Sequence, residues 1–284
     1  MTSSPSSAVQ EARKTLGRRL REIRLSAGFT TARAMAARAG WHESKSSRIE
    51  NGVITPSDDD IRTWAGVCGA QAQVQDLIAT ARGIEELYVD WRRLEGAGLK
   101  QVQESVLPLY ERTQRFRVYQ SWVFPGLLQT PAYTRVMLET VASLRKAPGD
   151  IAEAVAVRMA RQQVVHEGGR RCAFLVEEWV LRTVINDPDV LAAQLGQLIT
   201  MASLPSVSLG IIPMGAPRGV AWPTESFSIY DDDQVAVELV SAHLNVKQPN
   251  GIAEYVKTFS ELAGIAVYGT RARNLITDAI TALG

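Results

Sequence analysis

Cysteine is almost missing from this sequence. Cys68 and Cys172 stand far apart, each in apolar company, and no metal or redox spacing links them. They read as buried free thiols of a reducing compartment, and the chain as cytoplasmic. Histidine is also scarce: His166 and His243 have no ligand spacing. No phosphate-binding glycine loop, HExxH or GxSxG pattern appears. No catalytic set, cofactor or metal is therefore expected, and the chain does not read as an enzyme. No apolar run approaches the ~18 residues of a membrane helix. The opening MTSSPSSAVQ is polar and serine-rich, with no apolar core of a signal peptide, so residues 1–12 read as a flexible tail. A strong net charge is lacking too, at +1 over 284 residues.

That balance hides an asymmetry. Between Arg13 and Arg48 there are ten Lys or Arg against two acids, whereas from residue 83 onward there are 19 bases and 22 acids. A basic head on a slightly acidic body suits nucleic-acid binding, and a solvated basic helix face fits the charge alone equally well. Over residues 13–82 the pattern predicts five short helices. Leu16, Leu20 and Ile23 give the first its apolar stripe over 14–26, and Gly28 ends it. Thr30 caps a second helix that stops at Gly40. A third follows over 43–50, closed by Asn51-Gly52. Ser57, with Asp60 three residues on, caps a fourth. Two helices joined by a tight glycine turn make a helix-turn-helix.

The third helix is unusual. In AGWHESKSSRIENG, residues 39–52, only Ala39, Trp41 and Ile49 are properly apolar. A helix lying in the major groove needs hydrogen-bonding side chains and only enough anchors to hold it on its domain. Trp41 and Ile49 suit the anchors, while His42, Glu43, Ser44, Lys45, Ser47 and Arg48 suit the outward face.

Residues 16–68 resemble the Xre family of helix-turn-helix regulators, the lambda-repressor type: LGRRLREIRLSAGF, TTARAMAARAG, SRIENG, then TPS and a fourth helix. The resemblance implies base contacts from Glu43 and Ser44, with Arg48 one turn later, and His42 and Lys45 beside phosphates or bases. It implies a phosphate contact from Asn51 and a partly buried ion pair between Arg24 and Glu50. Thr31 stands where the family often places a phosphate-gripping Gln, and Ser46 where it places Val or Ile. A serine there is expected to weaken the packing of the reading helix.

Residues 83–115 read as a helical connector with a break at 96–98. The larger part, 116–284, reads as α+β with a partly antiparallel sheet. FRVYQSWVF, CAFLVEE, VSLGIIP, ESFSIYD and QVAVELV have strand character, the last two forming a hairpin about Asp231–Gln234. Asp231, Asp232 and Asp233 read as a solvated turn. Helices are expected at 150–166, 187–203, 249–264 and 269–283, and after Thr130 as N-cap with Pro131 at the first position. PGLLQTPAY (125–133), RMARQQ (158–163), FLVEEWVLR (174–182) and SVSLGIIP (206–213) resemble the large domain that follows an Xre head in actinobacterial regulators of the WhiJ type. That resemblance implies a regulator or antitoxin-like protein with no enzyme reaction. Trp122, Arg158, Arg161, Glu177 and Trp222 are candidates for a ligand or partner pocket. For Arg158 and Arg161, a salt bridge to Glu177-Glu178 and an anion clamp both fit. The expected partners are a double-stranded DNA operator, a second copy of the chain, and a small neighbour-encoded protein or small-molecule effector, with no membrane. The alternative is an antitoxin-like protein whose main role is to bind that neighbour, its DNA-binding head degenerate.

Overall fold

The computed structural model describes residues 5–90, 98–145, 149–167, 169–219, 225–240 and 242–284. Two compact units divide the chain, Met1–Val89 and Asp90–Gly284. The glycine break expected at 96–98 falls outside the described residues except for Gly98. No helix of the described residues is long and apolar enough to cross a membrane.

The first unit is helical as far as Leu87: α1 (Pro5–Ser26), α2 (Ala32–Arg38), α3 (Glu43–Glu50), α4 (Asp58–Cys68) and α5 (Val74–Leu87). Leu16, Leu20, Met35, Ala36, Ile49, Ile61, Trp64 and Leu77 form its buried interior. The Trp64 indole, too large to hide without a partner for its N–H, donates to the Leu20 carbonyl at 3.1 Å. Ser57 and Asp60 form the expected reciprocal cap of α4.

Helix α1 begins at Pro5, well before the expected residue 14, so a helix replaces the tail predicted after residue 4. Its added turns have little apolar character for the sequence pattern to reveal. They are held by polar contacts to the loop after α3: Gln10 Nε2 donates to the Gly52 carbonyl at 3.2 Å and Arg13 Nε to Thr55 Oγ1 at 3.1 Å. Gly52 makes this approach possible, since a Cβ there would lie 2.7 Å from the Lys14 nitrogen. A short strand β1 (Tyr88–Asp90), where helix was expected, straddles the division between the units.

The second unit is α+β. Helices α6 (Leu99–Ser105) and α7 (Leu107–Arg112) lead to β2 (Arg115–Gln120). Then follow α8 (Pro131–Arg145), α9 (Ile151–Arg161), α10 (Gln163–His166), β3 (Arg171–Glu177), α11 (Pro188–Met201) and β4 (Val207–Ile212). A meander, β5 (Phe227–Tyr230), β6 (Gln234–Glu238) and β7 (Ala242–Val246), precedes α12 (Pro249–Ile265) and α13 (Gly269–Thr281). The six strands β2 to β7 run in the order β7-β6-β5-β2-β3-β4. Strands β2, β3 and β4 are parallel, while β5 pairs antiparallel with β2 and the meander continues antiparallel. The sheet is therefore mixed, as expected, and the β5–β6 hairpin falls where the sequence puts it. Strand β7 went unpredicted, and β2 stops at Gln120 rather than running to Phe124.

Phe116, Val118, Phe174, Val176, Leu209, Ile211 and Tyr230 share one core with Leu191, Leu195 and Leu198 of α11 and Ile276 of α13. The segment 125–130 enters this core as a single 3-10 turn, Gly126–Leu128, between extended residues, and needs partners for its remaining polar groups. Glutamines supply them, Gln194 buried and Gln162 half-buried. Gln194 accepts from the Thr130 nitrogen at 2.7 Å and donates to the Leu128 carbonyl at 2.8 Å; Gln162 donates to Gly126 and Gln129 carbonyls at 3.0 and 2.7 Å. The aspartate turn is not merely solvated. Asp231, with φ 51°, accepts from the Arg115 nitrogen at 2.8 Å, and Asp232 pairs with Arg115 and Arg117 at 2.5 and 2.7 Å. The turn thus ties the hairpin to the start of β2.

Candidate nucleic-acid interface

Helix α3 has eight residues, and its polarity is a matter of faces. Ser46 and Ile49 point inward and are buried; Glu43, Ser44, Ser47 and Arg48 are exposed, with His42 exposed just before and Asn51 just after. Because 44, 47, 48 and 51 recur at helical spacing, they make one continuous outward strip.

The sequence builds a rigid seat for that strip. Gly17 on α1 lets α3 approach closely: a Cβ there would strike the Glu50 carbonyl oxygen and sit 2.7 Å from that of Ile49. Arg24 Nε and Nη2 grip the Glu50 carboxylate at 2.5 and 3.0 Å, both side chains being buried, and Arg24 Nη1 donates to the Phe29 carbonyl. The expected α1–α3 ion pair is thus present, and it also holds the turn into α2. Ser46 does not weaken α3: its hydroxyl donates to the Ala32 carbonyl at 2.8 Å, tying α3 to the first turn of α2. A hydrogen bond replaces the apolar contact that Val or Ile would make. Trp41 packs on Trp64 with ring centroids 6.1 Å apart.

The remaining predicted residues fall into distinct places. Thr31, rather than the expected Thr30, caps α2, accepting from the Ala34 nitrogen at 3.1 Å. His42 caps α3, its Nδ1 accepting from the Ser44 nitrogen at 3.3 Å. Lys45 is turned toward α4, where it meets Asp60 at 2.6 Å and lies 4.5 Å from the Trp41 ring centre. Glu43 pairs with Arg33 at 3.1 Å on the surface. Asn51 spends its amide on the Ser47 carbonyl at 2.8 Å. Arg48 is exposed, and no side-chain partner engages it among the described residues. Periodicity gave no sign of Val53, which lies three residues beyond the end of α3 and is 55% exposed.

Of the pocket candidates of the second unit, Trp122 and Glu177 fall at the neighbouring ends of the parallel strands β2 and β3. Trp122 is 65% exposed and meets Trp179 edge-on at 4.6 Å. Trp222 lies outside the described residues. Glu177 is claimed elsewhere: Arg218 grips it at 2.5 and 2.9 Å and the Tyr119 hydroxyl donates to it at 2.8 Å. Arg218's own hydrogen bonds to Glu177, and then the carboxylate's charge, raise the Arg218 pKa. Glu178 pairs with Arg182 at 3.7 Å and accepts from the Met214 nitrogen at 3.0 Å. Arg158 and Arg161 have no ion pair with Glu177 or Glu178, whose carboxylates are taken by Arg218 and Arg182. Arg161 instead lies 4.5 Å over the Tyr110 ring. Burial, then the nearby Arg161 charge, pulls the Arg158 pKa down to about 10.

Five helices with a polar third helix locked by a buried ion pair define a helix-turn-helix DNA-binding domain, and residues 15–77 match the model of a helix-turn-helix domain. Residues 103–278, more than half of the chain, match the domain of unknown function DUF5753, and the chain belongs to that family. Comparison with curated proteins finds no match. One solved structure is similar over 75% of this chain and 69% of its own at 15% identity, with a TM-score of 0.34: "Structure of TrmBL2, an archaeal chromatin protein, shows a novel mode of DNA binding". That score is below the level of a shared fold.

Proposed function

We propose that this protein is a sequence-specific transcriptional regulator of the Xre type. Its α3 enters the major groove, and its second unit senses an effector or holds a small partner protein. One observation carries the reading: the outward strip of α3 is exposed and polar on a helix whose inward side is fully anchored. A helix so firmly seated has not lost its apolar face by decay.

Arg48 is the freest donor on the strip and has the fork that matches the guanine O6/N7 edge; Glu43 and Ser44 lie one turn earlier for neighbouring bases. Val53 offers an apolar contact for a thymine methyl. The caps made by Thr31 and His42 leave both residues at helix starts, where phosphates are bound. Lys45 contributes charge more than direct base contact, being committed to Asp60. One such head spans few base pairs, so the chain works as a cytoplasmic homodimer on half-sites about one helical turn apart.

Titration of the purified chain onto DNA across a salt series tests this reading. Affinity should fall steeply between low and moderate salt, since phosphate neutralisation releases counterions. A flat salt response contradicts it. Light scattering should give the mass of a dimer, and a monomer with and without DNA contradicts that part.

A second reading, an antitoxin-like protein that mainly grips a neighbour-encoded polypeptide, has one observation in its favour. Trp122 and Met214, 65% and 59% exposed, meet the adjacent residues Trp179 and Glu178 respectively, which brings two large apolar side chains to one exposed place. Co-purification of that neighbour, with no DNA bound, favours it.

A further inference from the structure

Arg24, Arg117, Arg170 and Arg218 are all at least partly buried, and each meets a carboxylate or a carbonyl. Arg158 and Arg161 do not. They stand one turn apart on α9, and no hydrogen bond or ion pair takes up either guanidinium among the described residues. Both Nε atoms are fully buried and unpartnered, and Arg161 as a whole is 8% exposed. Their Nη ends, equally without a protein acceptor, are not sealed off in the same way. Glu238 acts on Arg158 through space without pairing with it.

The position is built. A Cβ on Gly126 would lie 2.8 Å from Arg158 Nη2, so the bare backbone of Gly126 is what the guanidinium rests against. Gln162, next to Arg161, fixes that backbone by donating to the Gly126 and Gln129 carbonyls. Tyr110 backs Arg161, and its hydroxyl lies 3.4 Å from that of Tyr230. Two like charges held side by side in a poorly solvated place repel each other unless an anion joins them.

We propose that Arg158 and Arg161, cradled by Gly126 and backed by Tyr110, bind a doubly charged oxyanion: the phosphate of a phosphorylated small molecule or free inorganic phosphate. Two guanidinium forks offer in-plane pairs of N–H donors to a tetrahedral dianion. A single carboxylate would answer one charge and leave the other. The site belongs to the second unit alone, so it stands or falls apart from DNA reading by α3.

The test is thermal unfolding and calorimetric titration of the full chain, without DNA, with inorganic phosphate, sulfate, glycerol phosphate, acetate and chloride at matched ionic strength. Phosphate and sulfate should raise the unfolding midpoint, and acetate and chloride should not. Arg161→Gln should abolish the response. Gly126→Ala, which keeps both arginines but displaces one guanidinium, should weaken phosphate binding roughly tenfold; it carries the test should Arg161→Gln fail to fold. Tighter binding of glycerol phosphate assigns a phosphorylated small molecule, and equal binding assigns the free ion. Equal midpoint shifts with acetate or chloride, no response to phosphate, or an unchanged response in Gly126→Ala overturns the proposal.

Discussion

Two sets of arginines, one in each unit, are treated differently. In the helical head, Arg24 is met by Glu50 through two hydrogen bonds and by the Phe29 carbonyl. In the second unit, Arg158 and Arg161 lie side by side with bare Nε atoms. The first arrangement is a fastener. It spends its charge inside the protein and fixes α1, α3 and the α1–α2 turn as one body. The second holds charge in reserve. Burying a guanidinium is tolerated when its partner is built in, and its absence marks a place where a partner from outside belongs.

The largest effect comes from breaking the fastener. Glu50→Ala leaves Arg24 buried and uncompensated, and should destabilise the head by about 3–5 kcal/mol in thermal or denaturant unfolding. Gly17→Ala attacks the same junction sterically, pressing a methyl onto two backbone carbonyls of α3. It should cost about 1–3 kcal/mol and weaken binding to all DNA sequences alike. Arg48→Ala should leave stability unchanged but cost about 1–3 kcal/mol on the preferred site. Equal loss on random DNA would move Arg48 from base to phosphate. Ser46→Ala removes the tether to Ala32 and should cost about 1 kcal/mol in unfolding.

The smallest effect concerns an exposed pairing. Hydrogen bonds from Arg117, then Arg115, hold the Asp232 pKa below its usual value. A carboxylate with a depressed folded-state pKa stabilises above its unfolded pKa, and that contribution disappears as the pH falls through the folded one. Asp232→Asn should therefore change stability slightly at neutral pH and flatten its decline in acid below about pH 4. An equally steep acid decline in the variant contradicts this role.

The head was legible because its signals are local. Gly28 and Gly40 stop helices, Ser57 and Asp60 cap one, and leucines four apart face inward. The Arg24–Glu50 pair came from family resemblance, since nothing in a 26-residue separation announces contact. What stayed hidden was non-local and polar. The early start of α1 depends on Gln10 reaching Gly52, and the role of Ser46 on a carbonyl of another helix. In the second unit the hairpin at Asp231 was plain, while β7 was not, because its alternation is short and carries His243 and Asn245. The motif 125–133 drew notice as a likeness to other proteins. Its physical content, backbone clasped by Gln162 and Gln194 and bare at Gly126 for Arg158, needed the fold. Trp122 and Glu177 do fall at the neighbouring ends of the parallel strands β2 and β3, but Glu177 is taken by Arg218 and Tyr119, so the two arginines of α9 have no ion pair with it, which residue spacing could not reveal.

The outward strip of α3 as a reader of bases is most directly tested by selecting bound fragments from random DNA with the wild-type chain and with Arg48→Ala. Wild type should enrich a two-fold-related pair of half-sites, and the variant should lose preference at one base pair in each half while still retaining DNA. Fragments recovered with no shared sequence, or an identical preference from both proteins, contradict it.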